Sequence, residues 1–344
     1  MLNGPKAHLL RGMKGLLATG ALLMSLMGVA SANPTDPTVQ HGTVIVRPGG
    51  PGTLTIEQLT AKAIVDWRTF GIRPDEVVRF LQPGQLSVIL NRVTGTTPSL
   101  IEGQLQANGQ VFLLNPNGIL FTPGSTVNTA GLLVSTLKMS NSDFLGGNYL
   151  LTQDPDKKLA SVVARGTITV TDGGYAVLAA PLVSNEGLIV CNLGKVLIGA
   201  GERVTLNFDG RNLINWSIPG LTGQPGTVVV PPEALSQMLG QVITNHNVVE
   251  AGRIVNNPDG TVSLVGASGL AVNNGTIRTN GMTGVTAGSI YVDSARSTYL
   301  GPSSVLSANG SGVGSDGGHI RIDSRGHTTT EAGSHMTTTA ANGG

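Results

Sequence analysis

The stretch Gly166-Thr167-Ile168-Thr169-Val170 returns 21 residues later as Gly187-Leu188-Ile189-Val190-Cys191, with glycine first and aliphatic residues at alternate positions. A period of 21 is too short for a βαβ unit, which needs about 30 residues. It fits one coil of a parallel β-helix, in which equivalent strands of successive coils stack about 4.8 Å apart. The repeat therefore predicts an all-β fold, a right-handed parallel β-helix, with Ile168 and Ile189 facing its interior.

Two offsets extend the predicted stack along the chain. The 21-residue offset places Val177 under Ile198, Ala179 under Ala200, and Val183 under Val204. Val262 and Leu264 also alternate with polar residues, which predicts a further coil strand. Late in the chain, a segment recurs with an offset of 30 residues. Its residues Ile290, Val292, Asp293 and Ser294 correspond to Ile320, Ile322, Asp323 and Ser324.

The composition agrees with a β-helix and excludes several other classes. The 344 residues include 49 glycines and only 3% aromatics, which disfavours a helical bundle, whereas 40% hydrophobic residues disfavour general disorder. The single cysteine excludes an internal disulfide framework. Cys191 takes the place of Val170 in the next coil and is expected to be a small buried residue. A net charge of +1 gives no basic field for nucleic acid.

Residues 1–32 have the pattern of a secretory signal peptide. Lys6, Arg11 and Lys14 precede an apolar run over residues 16–29, and Ala30-Ser31-Ala32 fits the small-residue cleavage rule. The run is shorter than the roughly 20 residues of a membrane span, which disfavours an anchor. Removing three basic residues leaves 18 basic against 20 acidic residues, a charge of −2. We expect a protein secreted through the periplasm to the cell surface or beyond.

One segment departs from the strand pattern. Pro231-Pro232-Glu233 opens a run with apolar residues at helical spacing, so residues 232–245 are predicted to form a short inserted helix. The expected organisation is a signal peptide (1–32), a front β-helical domain (33–215), an insertion with the helix (216–250) and further coils (251–344). Since residues 340–344 predict a turn rather than a cap, we expect the front of a longer protein or a truncated frame.

Residues 41–215 carry motifs that resemble a known family, the amino-terminal secretion domain of filamentous hemagglutinin and related two-partner secretion exoproteins. The third motif contains the family signature Asn-Pro-Asn-Gly-Ile. The motifs are Ile64-Val65-Asp66-Trp67-Arg68-Thr69-Phe70, Val88-Ile89-Leu90-Asn91-Arg92-Val93-Thr94-Gly95, Val111-Phe112-Leu113-Leu114-Asn115-Pro116-Asn117-Gly118-Ile119-Leu120-Phe121 and Gly131-Leu132-Leu133-Val134-Ser135-Thr136-Leu137.

The resemblance implies a β-helix with an amino-terminal cap, later coils of the hemagglutinin type, and a partner, an outer-membrane β-barrel transporter with periplasmic POTRA domains. It assigns secretion competence to the signature residues Asn115, Pro116, Asn117, Gly118 and Ile119, with Asn91, Arg92 and Val93 as a supporting motif. Some members have a second motif, Asn-Pro-Asn-Leu, about forty residues on. Here Asp154-Pro155-Asp156-Lys157 stands near that place, which puts the role of the second motif in doubt.

The signature has two physical interpretations, which the sequence leaves open. Pro116 fixes φ, Asn117 and Gly118 tolerate left-handed conformations, and asparagine side chains can cap backbone groups, so the motif could form a tight bend. Alternatively, its side chains could contact the transporter directly. Both interpretations predict that substitutions abolish secretion.

The sequence contains no convincing catalytic, metal-binding or cofactor-binding motif. The histidines are scattered, and no carboxylates recur at coil spacing except Asp293 and Asp323, a column more typical of a solvated edge. We therefore expect a non-enzymatic, adhesin-like exoprotein that binds a host-cell surface or glycans. The alternative is a secreted β-helix polysaccharide lyase or hydrolase, or a glycan-binding module, which requires a groove with convergent acids or bases.

Overall fold

The computed structural model describes residues 33–210, 213–231, 234, 253–257 and 262–341. Three long sheets form the faces of a parallel β-helix, and a fourth small sheet lies outside them. The predicted class, an all-β parallel β-helix, is confirmed. The predicted signal peptide and residues 342–344 lie outside the described residues. No helix within the described ranges is long and apolar enough to cross a bilayer.

Each complete coil contributes one strand to each of the three sheets. Sheet I contains β2 (Val44–Gly50), β3 (Thr53–Gln58), β5 (Val77–Leu81), β8 (Gln104–Ala107), β11 (Thr126–Thr129), β15 (Thr167–Val170), β18 (Leu188–Val190), β26 (Thr276–Arg278), β29 (Val305–Ser307) and β32 (His335–Thr337). Sheet II contains β1 (Thr38–His41), β4 (Lys62–Trp67), β6 (Val88–Val93), β9 (Gln110–Leu114), β12 (Gly131–Ser135), β16 (Tyr175–Ala180), β19 (Lys195–Ala200), β27 (Ser289–Ser294) and β30 (His319–Ser324).

The remaining strands belong to sheet III, its antiparallel extension and sheet IV. Sheet III contains β7 (Ser99–Ile101), β10 (Ile119–Phe121), β14 (Leu159–Ala164), β17 (Leu182–Asn185), β25 (Leu270–Asn273), β28 (Ser297–Leu300) and β31 (Thr328–Thr330). Beside β14, it extends through β22 (Val228–Val230), β24 (Val262–Val265) and β23 (Arg253–Asn256). Sheet IV is antiparallel and contains β13 (Tyr149–Thr152), β20 (Arg203–Phe208) and β21 (Leu213–Ser217).

The 21-residue register is confirmed in sheet I. Ile168 pairs with Ile189, and both are fully buried in the helix interior. The first position of the repeat requires glycine for a steric reason, because a Cβ on Gly187 would collide with the carbonyl oxygen of Gly166 in the preceding coil. Cys191 is also fully buried, and this burial raises the pKa of its thiol to about 12. The 30-residue register of β27 on β30 is likewise confirmed.

The predicted 21-residue offset is wrong in sheet II, where β16 and β19 pair with an offset of 20 residues. Val177 pairs with Leu197 rather than Ile198, and Ala179 pairs with Gly199 rather than Ala200. The bend before β16 has four residues, 171–174, and the corresponding bend after Cys191 has three, 192–194. A shift of one residue exchanges the two faces of a strand. Val177 therefore faces outward, while Ile198 packs in the interior.

Two further strand predictions are wrong because the chain leaves the β-helix after β19. Val183 stacks on Ala271, since the next strand of sheet III comes from β25. Val204 belongs to β20 of sheet IV. Val262 and Leu264 lie in β24, which runs antiparallel to its neighbours instead of forming a coil strand. These segments pack on the outside of the stack, and the parallel coils resume at β25.

The amino-terminal cap that the resemblance implies is confirmed. β1 pairs antiparallel with β4, and β2 pairs antiparallel with β3, so both cover strands of the first coil. Val44 and Val46 of β2 pack against the interior core. The cap thus closes the open end of the stack with paired backbone and apolar side chains.

One short α-helix occurs in the described residues, and its position was not predicted. Helix α1 spans Asn141–Gly146, with Ser140 as N-cap and Gly147 as a left-handed C-cap. Ser140 with Asp143 three residues on, followed by Gly147, is the sequence signal that could have identified it. The predicted helix over residues 232–245 lies outside the described residues apart from Ala234.

A second apolar core lies on the outer face of sheet II, beneath α1 and sheet IV. Five aromatic residues of this core meet edge to face or tilted, with ring centroids 4.4–6.1 Å apart. These are Phe112, Phe144, Tyr149, Tyr175 and Phe208. The narrow interior of the β-helix is filled mainly by aliphatic residues, together with the rings of Trp67, Phe70, Phe80 and Phe121.

Candidate functional site

The signature Asn115-Pro116-Asn117-Gly118 forms the bend between β9 and β10. The amide of Gly118 donates to the carbonyl of Asn115 at 3.2 Å, and the amide of Asn117 donates to Asn115 Oδ1 at 2.9 Å. Gly118 has φ +117°, a backbone conformation in which a residue with a side chain would be strained. Ile119, directly after the bend, is fully buried in the interior. The motif is therefore a tight turn that ends by inserting an aliphatic residue into the core.

The two signature asparagines hydrogen-bond to the bend of the preceding coil. Asn115 is fully buried, and its Nδ2 donates to Thr97 O at 3.0 Å and Ser99 Oγ at 2.9 Å. Asn117 Nδ2 donates to Gly95 O at 3.0 Å and to Asn115 Oδ1 at 2.8 Å. The two side-chain amides thus hydrogen-bond to backbone carbonyls of Thr97 and Gly95 in the preceding coil. The hydrogen bonds of both asparagine side chains thus agree with the interpretation of the motif as a tight bend.

The supporting motif lies on β6, one coil before the signature. Asn91 is fully buried; its Oδ1 accepts from Trp67 Nε1 at 3.0 Å, and its Nδ2 donates to Phe112 O at 3.2 Å. It therefore links three successive strands of sheet II. Val93 is buried in the interior beside them.

Arg92 reaches the outer layer instead. Its Nε donates to Asp66 Oδ1 at 2.7 Å, and Nη1 donates to Asn141 Oδ1 at 2.6 Å. Arg92 thus ties the start of α1 to the β-helix. The signature and the supporting motif occupy adjacent coils, and Asn91 contacts the strand that leads into the signature turn.

The segment Asp154-Pro155-Asp156-Lys157 forms the same kind of turn as the signature. The amide of Asp156 donates to Asp154 Oδ1 at 3.1 Å, and the amide of Lys157 donates to Asp154 O at 3.0 Å. These contacts match those of Asn117 and Gly118 with Asn115. A carboxylate oxygen accepts the Asx-turn hydrogen bond as an amide oxygen does, so the turn persists although both asparagines are replaced.

A surface cleft of about 260 Å³ lies between these two turns. Its lining includes Pro116 and Asn117, which are both half-buried, and residues 156–158. Pro98 and Val229 contribute apolar surface. The sequence did not predict this cleft, because the turns are forty residues apart and Val229 belongs to β22.

Three of the four oxygens of the carboxylate column Asp293–Asp323 accept hydrogen bonds or ion pairs from neighbouring groups. The buried Oδ1 of Asp293 has no hydrogen-bond partner among the described residues and lies 3.8 Å from Arg325 Nη2. Asp323 accepts from Arg321 Nη2 at 2.7 Å and from Arg325 Nη1 at 2.8 Å, and Asp293 Oδ2 accepts from Trp216 Nε1 at 2.9 Å. The adjacent cavity of about 310 Å³ is lined by Arg325 and by neither carboxylate. Within the described residues there is no group of three acidic, histidine or cysteine side chains that could hold a metal ion.

A family model described as the TPS secretion domain matches residues 30–279. The chain belongs to this family. It is 30% identical over 250 residues to the heme/hemopexin-binding protein of Haemophilus influenzae, covering 70% of this chain and 25% of that protein. It is 34% identical over 117 residues to the filamentous hemagglutinin of Bordetella pertussis, covering 33% of this chain and 3% of the hemagglutinin.

The fold of this TPS secretion domain is similar to that of a solved relative. The HMW1 secretion domain from Haemophilus influenzae superposes with a TM-score of 0.60 at 25% identity, over 90% of this chain and 84% of that structure. The chain spans about a quarter or less of the length of the curated relatives named above. The shared part is thus a small portion of much longer proteins.

Proposed function

We propose that this chain is the secretion module of a non-enzymatic, adhesin-like exoprotein, which a partner outer-membrane β-barrel exports from the periplasm to the cell surface or medium. The observation that carries the proposal is a TPS secretion domain with an intact signature turn built into its stacked coils. The partner would bear periplasmic POTRA domains. Host-cell surfaces or glycans are the proposed targets of the exported protein.

The proposed role of Asn115, Pro116, Asn117, Gly118 and Ile119 is to build and present one turn. The buried amide of Asn115 and the interior side chain of Ile119 hold it in place. Pro116 and Asn117 are the members with surface exposed to a partner. Asn91, Arg92 and Val93 support the strand and outer layer beneath the turn. Different residues of the motif therefore have the two roles: Asn115 and Ile119 stabilise the turn, and Pro116 and Asn117 are available to contact a partner.

The experiment compares secretion with folding for single alanine variants. Asn115→Ala removes three side-chain hydrogen-bond partners in a buried site, so it should lower both the melting temperature and secretion, with a cost of about 1–3 kcal/mol. Asn117→Ala should reduce secretion with a smaller loss of stability. Asn309→Ala, which removes a coil-bend asparagine far from the signature, is the matched control. Normal secretion of both signature variants would contradict the assigned role.

A non-enzymatic role is supported by the state of the Asp293–Asp323 column. Two arginines hold the oxygens of Asp323, and Asp293 is only 6% exposed. A general acid and base must both reach substrate, which this arrangement does not offer. Incubating the purified chain with pectin-like and other acidic polysaccharides should give no new chain ends. Their release, and its loss in Asp323→Asn, would favour the lyase or hydrolase alternative.

A further inference from the structure

A pair of aromatic rings lies where sheet IV packs on the later coils of sheet II. The rings of Trp216 on β21 and Tyr291 on β27 have centroids 4.2 Å apart and are tilted by 55°. Both residues are half-buried, so the rings pack on each other and keep part of their surface in solvent. Aromatic surface of this kind, apolar in its body and wet at its edge, is suited to contact with a ligand.

Polar and apolar contacts hold the indole of this pair in place. Trp216 Nε1 donates to Asp293 Oδ2 at 2.9 Å. Two residues further on, Ile218 is fully buried, and a Cβ on Gly199 of β19 would meet its Cδ1 at 3.0 Å. Arg325 Nη2 donates to the carbonyl of Ile218 at 3.2 Å. The segment is therefore fixed to the β-helix, and a preorganised ring loses little freedom when it binds a ligand.

The next strand of sheet II places polar side chains beside the rings. On β30, Arg321 pairs in register with Tyr291, and Asp323 pairs with Asp293, at the coil spacing of about 4.8 Å. The side chains of Arg321 and Asp323 are 65% and 31% exposed, and they are joined by one hydrogen bond of 2.7 Å. Because a guanidinium has five N–H donors, this bond leaves others for a ligand.

Asp293 supplies an acceptor that its neighbours leave open. The residue is only 6% exposed, and its Oδ1 has no hydrogen-bond partner within the part of the chain that the structure describes. Arg325 Nη2 lies 3.8 Å from this oxygen, and the side chain of Arg325 is 40% exposed. A buried acceptor without a donor is costly, so a ligand hydroxyl that completes the network of Asp293 and Arg325 would be favoured.

The chemistry of these groups favours an uncharged sugar. Asp293 and Asp323 carry two negative charges, and Arg321 and Arg325 carry two positive charges, so the cluster has no net field for an ion. A sugar ring has apolar C–H faces that stack on aromatic rings, and its hydroxyls both donate and accept hydrogen bonds. The anchors of a protein partner instead fill fully desolvated pockets, whereas these rings border exposed charged side chains.

We propose that the ring pair Trp216–Tyr291 and the adjacent Arg321 and Asp323 form a binding site for an uncharged sugar unit of a glycan. This inference rests on the proposed function and deepens it, because it gives the proposed glycan target one surface and one ligand class. The rings stack on one face of the sugar, and the side chains of β30 bond its hydroxyls.

Tryptophan fluorescence detects binding at this site, because the other tryptophan, Trp67, is fully buried in the β-helix interior. The purified full chain is titrated with uncharged hexasaccharides of glucose, mannose and galactose, and with hexagalacturonate and hexaglucosamine as charged comparators. An uncharged hexasaccharide should change the emission of Trp216. Calorimetric titrations should then show affinities about tenfold lower for Trp216→Ala and about fivefold lower for Arg321→Ala.

The matched control is Arg79→Ala, which removes another exposed arginine with one side-chain hydrogen bond, on sheet I, and should bind as the wild type does. Because Arg321 is mostly exposed, Arg321→Ala tests the site even if Trp216→Ala lowers the melting temperature. Normal affinity of Arg321→Ala, or an equal loss in the control, would overturn the site. Binding of the charged comparators alone, or of no hexasaccharide, would overturn the ligand class and the inference with it.

Secretion distinguishes this inference from the proposed function. The Arg321→Ala chain should be released as efficiently as the wild type by cells that carry the partner transporter, because the site takes no part in export. A wild-type chain that binds no sugar but is released only with the transporter would refute the inference and leave the proposed function standing. Sugar binding by a chain that is released equally without the transporter would refute the proposed function alone.

Discussion

Gly118 is the residue in the signature whose backbone geometry is most demanding. Its φ of +117° lies where side chains are strained, although an added Cβ would find its nearest neighbour at 3.6 Å. The requirement is therefore conformational and does not reflect a lack of space. Cys191 illustrates the opposite situation, because its small side chain packs in the interior with ordinary backbone geometry.

The alanine variant at Gly118 should cost stability through this strain alone. We expect Gly118→Ala to lose about 1–3 kcal/mol in the free energy of unfolding, measured by urea denaturation of the purified chain. Gly84→Ala is the control, since Gly84 also has open space around its Cβ position but no positive φ. It should change stability by less than about 0.5 kcal/mol. An equal effect of both substitutions would contradict the strain argument.

Stacked strands place like residues in columns. In the column of Asp293 and Asp323, the pKa values of the two carboxyl groups are shifted in opposite directions. Burial, partly offset by the hydrogen bond from Trp216, raises the pKa of Asp293. Hydrogen bonds from Arg325 and Arg321 lower the pKa of Asp323, its partner on β30. A raised carboxyl pKa contributes stability below its ordinary value of 3.8, which is lost as the pH rises. A lowered pKa contributes stability above 3.8, which is lost as the pH falls.

Asparagine variants of this column should therefore respond to pH with opposite signs. Between pH 3 and pH 7, Asp293→Asn should gain melting temperature relative to wild type, while Asp323→Asn should lose it. Because Asp323 is partly exposed and its ion pairs are screened, we expect changes of only about 2 °C. Thermal melts at both pH values are the measurement. Parallel changes in the two variants would contradict the assigned directions.

At the level of strands, the sequence predicts what depends on side-chain alternation and misses what depends on bend length. The prediction for Ile168 and Ile189 is confirmed because both residues keep the same distance from the glycine that opens their repeat. The predicted partner of Val177 is wrong because one bend is a residue shorter. The predicted partner of Val183 is wrong because the chain leaves the stack after β19, and the residues around Val183 do not show this.

The candidate site also has a part that the sequence predicts and a part that it does not. The turn at residues 115–118 follows from proline and asparagine chemistry, which acts over four residues. The matching turn at Asp154 uses carboxylates, so a search for asparagines does not reveal it. The cleft requires β10, β14 and β22 to be brought together by sheet III, and this non-local arrangement is visible only in the folded chain.

The whole molecule is a capped stack in which each coil covers the last, and its insertions form an outer layer. Stability in such an array is approximately a sum over neighbouring coils, so the capped front can be well ordered independently of distal coils. The signature turn, its supporting motif and the cleft all lie within this front part. The capped front of the stack is therefore a physically self-sufficient unit.

The most direct test of this account is the amount of the full chain released into the medium by cells with and without the partner outer-membrane transporter. We expect release only when the transporter is present, and retention in the cell when it is absent. The retained protein would be recovered without its signal peptide. Equal release in both strains, with the outer membrane intact, would contradict the claim that the front of the β-helix directs export through a partner barrel.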